Sequence, residues 1–425
     1  MALLLSVAHR CLDLACRPMY LRYWQYANQV MNIQNMQLKK ILKHQGLPEL
    51  SYAQFAAQFP LTSYEHVQNK IQHHIVQKTA YIGQSRIQHY QTEYCSAQLT
   101  KYLPYTQNLI QELDHALSVW FVGLYQQYPQ LKNTSHYWQA PQDAQLELPH
   151  HAYVYRDTLV LSVSKRAFHQ AMRAVPMSVA WVRNEKDRLF ATAVYLVADR
   201  DLGLLSLWNP VHGLALLEMI RTTKDEMIAV LRSGCWQRPS LKMLKAPKAC
   251  EQSYKLQRLD LNIAASWAVL WSKLQVISSY QHAQHEKAAR QLQAEFPHAT
   301  FEAKGVWRTE GMISFPFQGR HPLAYQSHFY EFIELRSLDI VTATELKSGD
   351  VVCPILTTSA GLLRYVLTDV LEVTEFFLQI PCFKYLGKHC YENFYVGDKQ
   401  VEQAQQILKQ FKPSYIASER IQNHG

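Results

Sequence analysis

The chain has no Cys-x-x-Cys pair, no apolar run approaching a membrane span, and no glycine between Thr92 and Thr106, where its most suggestive loop lies. Each absence excludes something. The cysteines (Cys11, Cys16, Cys95, Cys235, Cys250, Cys353, Cys382, Cys390) are scattered, which argues against a zinc ribbon or a disulfide scaffold and fits a reducing cytosol. The opening "MALLLSVA" lacks a basic leader and is soon interrupted by Arg10, Asp13 and Arg17, and no stretch reaches the ~20 apolar residues of a spanning helix. The expectation is a cytoplasmic protein with no membrane partner. Charged residues are somewhat scarce at 18%, and a net charge of +9 is modest for 425 residues. It permits an anionic ligand such as a nucleotide. The clearest basic run, "LKMLKAPKAC", has Lys242, Lys245 and Lys248 without interleaved aromatics, so it reads as a solvated loop or helix end and no nucleic-acid partner is expected.

What is present is a globular composition, 48% apolar, at a length that predicts two domains or one large domain with an appendage. From Ala2 to about Gln91 the pattern reads as helical, with "LRYWQYANQVMNIQNMQLKKILKHQG" ending at Gly46. After an irregular stretch from Tyr128 to His151, strands and helices alternate. "DTLVLSVS" and "LFATAVYLVA" read as strands, "LALLEMIRTTKDEMIAVLRSG" as one amphipathic helix stopped by Gly234. "LQVISSY" reads as a buried strand, "HEKAARQLQAEF" as a helix and "TFEAKGVW" as the next strand. From Met312 to Leu386 the chain becomes mostly strand: "FYEFIEL", "DVVCPILTTS", "LRYVLTDVLEVTEFF", "CFKYLG". A last helix, "DKQVEQAQQILKQF", puts Val401, Ala404, Leu408 and Phe411 on one face. The rhythm is that of an α/β protein.

Four segments belong together. Thr309-Glu310-Gly311 closes a strand, where α/β proteins place ligand-binding side chains; a carboxylate there can hold magnesium and the neighbouring hydroxyl can donate to a phosphate, while taken alone the three residues read as a solvated turn. Asp369 sits among Val366, Leu367, Val370, Leu371 and Val373. A carboxylate in such surroundings needs partners, and the bland readings are a turn aspartate or a partner for Arg364. "LWNPVHGLALLEMI" is the third. "TEYCSAQLTKYLPYT" enters the next element as phosphate-gripping loops do.

Taken in order, these segments resemble the auxin-responsive Gretchen Hagen family of acyl acid–amido synthetases, a branch of the adenylate-forming superfamily that also holds acyl-CoA synthetases and luciferase. The resemblance runs from about Gln34 to Glu402. It includes Pro60, Tyr64 and Glu65 in "FPLTSYEHVQNKI", "LWNP" at Leu207 to Pro210, the run from Trp271 through "LQVIS", Phe296-Pro297, Lys304-Gly305 and "TEG". "YEFIE", "LTTSAGLLRY" and "NFYVGDKQVE" complete it. It implies a large domain over 1–384, with mixed and parallel sheets flanked by helices and a small β-barrel-like subdomain. A hinge and the remnant of a C-terminal lid subdomain would occupy 385–425. It also implies a two-step reaction: ATP adenylates a small carboxylic acid, then an amino acid displaces AMP to form an amide, with Mg2+ as cofactor. By position, Thr309 contacts the α-phosphate, Glu310 holds the magnesium and Asp369 accepts from the ribose. Lys101 and Ser96 belong to the phosphate loop, and Trp307 and Arg364 to the nucleotide site. Trp208 and Asn209 line the acyl pocket.

The sequence departs from the family at three places. The phosphate loop's two glycines are replaced by Cys95 and Gln98, and Glu93 adds a negative charge; glycine matters there because positive φ lets backbone N–H groups close on the phosphate. The Tyr-Arg-x-Gly-Asp segment has become Tyr365-Val366-Leu367-Thr368-Asp369. The lid is expected to be mostly missing, so that a partner protein would complete it. Two readings stay open: an acid–amido synthetase with a relaxed loop, and a degenerate scaffold that binds a ligand or a partner.

Overall fold

The computed structural model describes residues 2–96, 99–139, 161, 163–281 and 285–388. The chain opens with helices α1 (Ala2–Gln25), α2 (Val30–His44), α3 (Tyr52–Gln58) and α4 (Tyr64–Val76), followed by β1 (Tyr81–Ile82), β2 (Ser85–Ser96) and β3 (Leu99–Thr106). Helix α5 (Gln107–Gln127) leads to β4 (Ser135–Trp138). Then come α6 (Val163–Ala171), α7 (Glu185–Ala198), β5 (Leu202–Ser206), α8 (Pro210–Thr222), α9 (Lys224–Ser233), α10 (Gln252–Arg258), α11 (Ala264–Leu270), β6 (Val276–Ser279), α12 (Glu286–Glu295) and β7 (Thr300–Ala303). The remainder is strand: β8 (Trp307–Arg308), β9 (Gly311–Met312), β10 (Phe329–Glu334), β11 (Ile340–Thr342), β12 (Val351–Thr357), β13 (Tyr365–Val366), β14 (Asp369–Phe377) and β15 (Ile380–Lys388).

Two compact units emerge. Among the described residues, the first takes 2–20, 118–139 and 161–305, the second 21–117 and 306–388. The first is built on a parallel sheet in the order β4-β5-β6-β7. Every residue of β4, β5 and β6 is buried, as a parallel sheet covered on its faces requires. One core joins Leu202 and Leu205 of β5 and Ile277 of β6 to Phe190 of α7, Leu216 and Ile220 of α8, Trp267 of α11 and Leu292 of α12. The second unit carries an antiparallel sheet, β11-β10-β12-β14-β15, with β13 paired to β12, and the separate hairpin layer β1-β2-β3. Leu38, Ile41 and Leu42 of α2 and Phe55 of α3 pack with Phe329 of β10. Mixed parallel and antiparallel sheets with covering helices are the α/β class expected.

Several sequence expectations need correction. "LFATAVYLVA" is helix α7: Asn184 caps it by accepting from Asp187 N at 3.0 Å, and Phe190, Ala191, Ala193, Val194, Leu196 and Val197 are all buried, so burial on every side removed the 3.6-residue period. "DTLVLSVS" turns helical from Val163; its earlier part lies almost wholly outside the described residues. The single helix stopped at Gly234 is two, broken at Thr223, though Gly234 does close α9 with φ +68. "TFEAKGVW" splits into β7 and β8. The helical reading up to Gln91 fails at Tyr81, where β1 begins. The final helix and "NFYVGDKQVE" lie outside the described residues. Among those described, no helix is long and apolar enough to cross a membrane.

Candidate functional site

The stretch read as a phosphate loop is a β-hairpin in the second unit. Register Glu93↔Lys101 and Ser96↔Leu99 pairs β2 with β3; 97–98 lie outside the described residues. The strands are extended, whereas a phosphate nest alternates right- and left-handed backbone. The side chains of Ser96 and Cys95 also lie outside the description. Lys101 does not: its ammonium stands 3.8 Å from Glu310 Oε1, with both side chains largely buried. The same ammonium lies 5.6 Å from the centre of the Tyr64 ring, whose hydroxyl accepts from Tyr102 N at 2.9 Å. Tyr64 of the Pro60–Glu65 segment is thus the seat on which Lys101 rests.

The turn joining β8 to β9 presents Thr309 and Glu310. Thr309 Oγ1 donates to Glu310 Oε2 at 3.0 Å, and Tyr365 OH donates to Oε1 at 3.3 Å. Tyr105, on the hairpin, donates to Thr309 O at 2.9 Å. Beneath the turn, His328 Nε2 accepts from Met312 N at 3.2 Å and its Nδ1 donates to Glu112 Oε2 at 2.8 Å. Both side chains are essentially sealed from solvent. A methyl at Gly311 would stand 2.8 Å from His328 Nε2 and 3.2 Å from Leu356 Cδ1. Glycine closes the Thr-Glu-Gly motif because the histidine pedestal leaves no room for a Cβ.

Asp369, 2% exposed, faces the same turn. Arg308, immediately before Thr309, donates Nε to Oδ2 at 2.7 Å and Nη2 to Oδ1 at 2.6 Å, a bidentate pair. Its guanidinium also lies 5.2 Å from the Tyr385 ring centre. Burial, with the Asp369 charge behind it, pushes the Tyr385 hydroxyl up to about 12. Thus Lys101, Thr309, Glu310 and Asp369 are brought together in one unit by contacts that run through Arg308, Tyr365 and Tyr105. Trp307 pairs with Met312 in the β8–β9 ladder and is half-buried. Arg364 stands apart from this chain of contacts: its guanidinium clasps Glu331 at 2.8 and 3.1 Å and donates to the carbonyls of Ala56 and Phe59, both at 2.9 Å. It is not the partner of Asp369. Trp208 and Asn209 belong to the first unit, where Gln139 Oε1 accepts from both backbone N–H groups, at 2.8 and 3.3 Å.

Arg308, Tyr105, His328 and Glu112 carried no role in the sequence analysis, although Tyr105 lies inside the quoted 92–106 stretch and Arg308 directly precedes Thr309; each matters through a partner distant along the chain. Tyr64 and Tyr365 lay inside quoted segments but carried no role.

A magnesium ion fits Glu310 in a limited sense. No group of three or more His, Cys, Asp or Glu side chains able to hold a metal occurs among the described residues. An ion here would rest on one carboxylate, completed by phosphate oxygens and water, which suits Mg2+. Glu310 is met by two hydroxyls and an ammonium, which a cation can displace.

Comparison with known proteins follows the same division. The GH3 family N-terminal domain matches residues 25–300 and the GH3 family central domain residues 321–388. Two solved structures share the fold at 16% identity. One is the AtGH3.15 acyl acid amido synthetase in complex with 2,4-DB, at TM-score 0.74 over 89% of this chain and 71% of that one. The other, titled GH3.15 acyl acid amido synthetase, has a TM-score of 0.69 over 86% and 69%. No curated protein matches significantly. With the two domains matched in order over most of its length, and a fold that agrees, the chain belongs to the GH3 family, the Gretchen Hagen family that its motifs resemble.

Proposed function

We propose that this chain carries out acyl acid–amido synthesis: ATP-dependent adenylation of a small carboxylic acid, then amide formation with an amino acid, at a nucleotide site impaired relative to the family. The observation that carries the reading is the meeting of Lys101, Glu310 and Tyr365 beside Thr309. A cation, a metal-binding carboxylate and hydroxyl donors side by side are what a phosphate acquiring negative charge requires. Bound Mg-ATP would supply the α-phosphate that the substrate carboxylate attacks. Lys101 and Thr309 would neutralise its oxygens, Glu310 would hold the metal and Asp369 would accept from the ribose. Trp208 and Asn209 would line the acid's pocket. Free thiols at Cys11, Cys16, Cys235, Cys250, Cys353 and Cys382 suit a reducing, cytoplasmic setting.

A second reading, a ligand- or partner-binding scaffold without turnover, draws on the Arg308–Asp369 pair. Both oxygens of the carboxylate already accept from a guanidinium, and the side chain is 3% exposed.

Calorimetry with Mg-ATP and a pyrophosphate-release assay over a panel of carboxylic acids separate the two. Micromolar binding that Glu310→Ala abolishes, with release that depends on the acid, is the expected result. Binding without release supports the scaffold. No binding to folded protein overturns the nucleotide site.

A further inference from the structure

Helix α1 is apolar on two sides, and the first unit uses only one of them. Leu5, Ala8, Leu12 and Cys16 are buried. On the same side His9 donates Nε2 to Thr134 O at 2.7 Å and accepts at Nδ1 from Tyr125 OH at 2.8 Å. On the opposite side Leu3, Val7, Arg10, Leu14 and Arg17 succeed one another at steps of four, three, four and three residues, the repeat that lines up a single helix face. Leu3 is 79% exposed, Leu14 66% and Val7 49%, and Leu4, at 61%, widens the stripe where it begins. A helix apolar all round is ordinarily covered all round. Here four large aliphatic side chains face water along one side, the kind of patch that marks an interaction surface.

The charges on this face have one sign. From Ala2 to Arg17 the helix carries Arg10, Arg17 and a single carboxylate, Asp13. The Asp13 side chain is buried, and its Oδ2 accepts from Lys132 Nζ at 2.8 Å as well as from Arg17 at 3.0 Å. Lys132 thus offsets the aspartate, and Arg10 and Arg17, both exposed, leave the face with an excess of positive charge. His9 is neutral at pH 7, since burial drives it down to about 4.

We propose that this face of α1 lies on an anionic lipid surface, its leucines entering the acyl boundary and the guanidiniums of Arg10 and Arg17 meeting headgroup phosphates. Arginine suits both demands, because its aliphatic stem stays with the leucines while its charged end reaches the headgroups. A second copy of the chain fits worse. A two-fold contact through this face would set arginines against arginines inside the seam, with no exposed carboxylate of α1 to answer them. Among the described residues no helix is long and apolar enough to span a membrane, but a helix that lies in the interface needs only one apolar face with cations beside it. The stripe is hidden in the sequence because both faces of α1 are apolar, so no amphipathic period shows.

Flotation of the full chain with lipid vesicles tests the assignment. Vesicles of phosphatidylcholine mixed with phosphatidylglycerol should bind the protein at low ionic strength, and vesicles of phosphatidylcholine alone about fivefold more weakly. Leu3→Gln combined with Leu14→Gln should weaken binding to the mixed vesicles about tenfold, because the apolar face no longer inserts. Arg10→Gln should weaken it about threefold. Equal flotation with both vesicles overturns the anionic surface. Wild-type flotation of the double variant places the contact elsewhere, on a basic surface such as Lys242 to Lys248, and overturns the role of α1. Where the double variant fails to fold, Arg10→Gln decides, and wild-type flotation of that variant overturns the proposal. Sedimentation velocity of the free chain covers the other occupants. A dimer that the double variant abolishes assigns the face to a second copy, and a monomer that does not float leaves it to another protein; either result overturns the lipid surface. Nucleotide plays no part in these measurements, so their outcome is independent of the acid–amido synthetase reading.

Discussion

Arg308 clasps Asp369 through two parallel hydrogen bonds of 2.7 and 2.6 Å, joining the residue before the Thr309-Glu310 pair to the aspartate the family reading places on the ribose. The pair is unevenly exposed, 22% for the arginine and 3% for the aspartate. Removing the guanidinium strands a buried carboxylate, at a cost of about 2–3 kcal/mol, the arginine's exposure keeping it below the range for sealed pairs. Arg308→Met should therefore lower stability in urea unfolding, and Arg308→Met with Asp369→Asn should recover most of the loss. In the nucleotide-site reading, the single variant also frees Asp369, so calorimetry should report tighter Mg-ATP binding per folded molecule. Unchanged or weaker binding would favour the scaffold.

Gly311→Ala tests the pedestal beneath the same turn. The added methyl meets His328 Nε2 at 2.8 Å and Cδ2 at 3.0 Å. The ring cannot step aside while Glu112 holds Nδ1 and Met312 N holds Nε2. The expected cost is about 1–3 kcal/mol. Because Thr309 and Glu310 are displaced with the turn, Mg-ATP affinity should fall as well. A variant as stable as wild type would show that the turn relaxes freely.

Arg364→Lys should behave differently from both. The guanidinium serves Glu331 and two carbonyls at once, and lysine cannot reproduce that fork. A loss of about 2–3 kcal/mol in unfolding is expected, with Mg-ATP affinity of the folded fraction unchanged. A specific loss of nucleotide binding would restore Arg364 to the site.

The sequence was most legible where one side of an element is wet. Strand β14 alternates buried Asp369, Leu371 and Val373 with half-exposed Val370 and Glu372, and a reader of the period finds it. Helix α7, buried at nearly every position from Phe190 to Val197, offers none, and its alanines and valines suit either state. The site divides in the same way. Thr309, Glu310 and Asp369 could be singled out because a family pattern names them in order. Arg308 was invisible because a single arginine between a tryptophan and a threonine has no pattern, and the partner that gives it meaning is Asp369, far along the chain.

The first unit should be sensitive to acid through a stack of buried imidazoles. His136 and His169 lie with ring centres 4.5 Å apart, His9 5.8 Å from His136. Burial drives His9 down to about 4 and holds His136 and His169 well below the ordinary value, with Arg173 nearby opposing charge on the last two. His212 is likewise pushed down by burial to about 4. Above pH 6.5 these rings are neutral folded or unfolded and contribute no slope. Below it the unfolded chain takes up protons that the folded one refuses, so stability falls from pH 6.5 toward 4, by up to ~1.4 kcal/mol per pH unit for each ring. Glu302 acts oppositely. With its carboxyl raised to about 7 by burial, the folded state holds the extra proton between about 4.5 and 7, so its contribution is lost as pH rises through that window. One carboxyl against several imidazoles leaves the net slope with the histidines. Both nitrogens of His169 lack a hydrogen-bond partner among the described residues, so His169→Leu removes a buried polar ring without orphaning another group. Unfolding measured from pH 7.5 to 4.5 should show the variant at least as stable as wild type at neutral pH and flatter by about one proton's slope below 6.5. A variant that keeps the wild-type slope would show that His169 is already protonated, or titrates freely, in the folded protein.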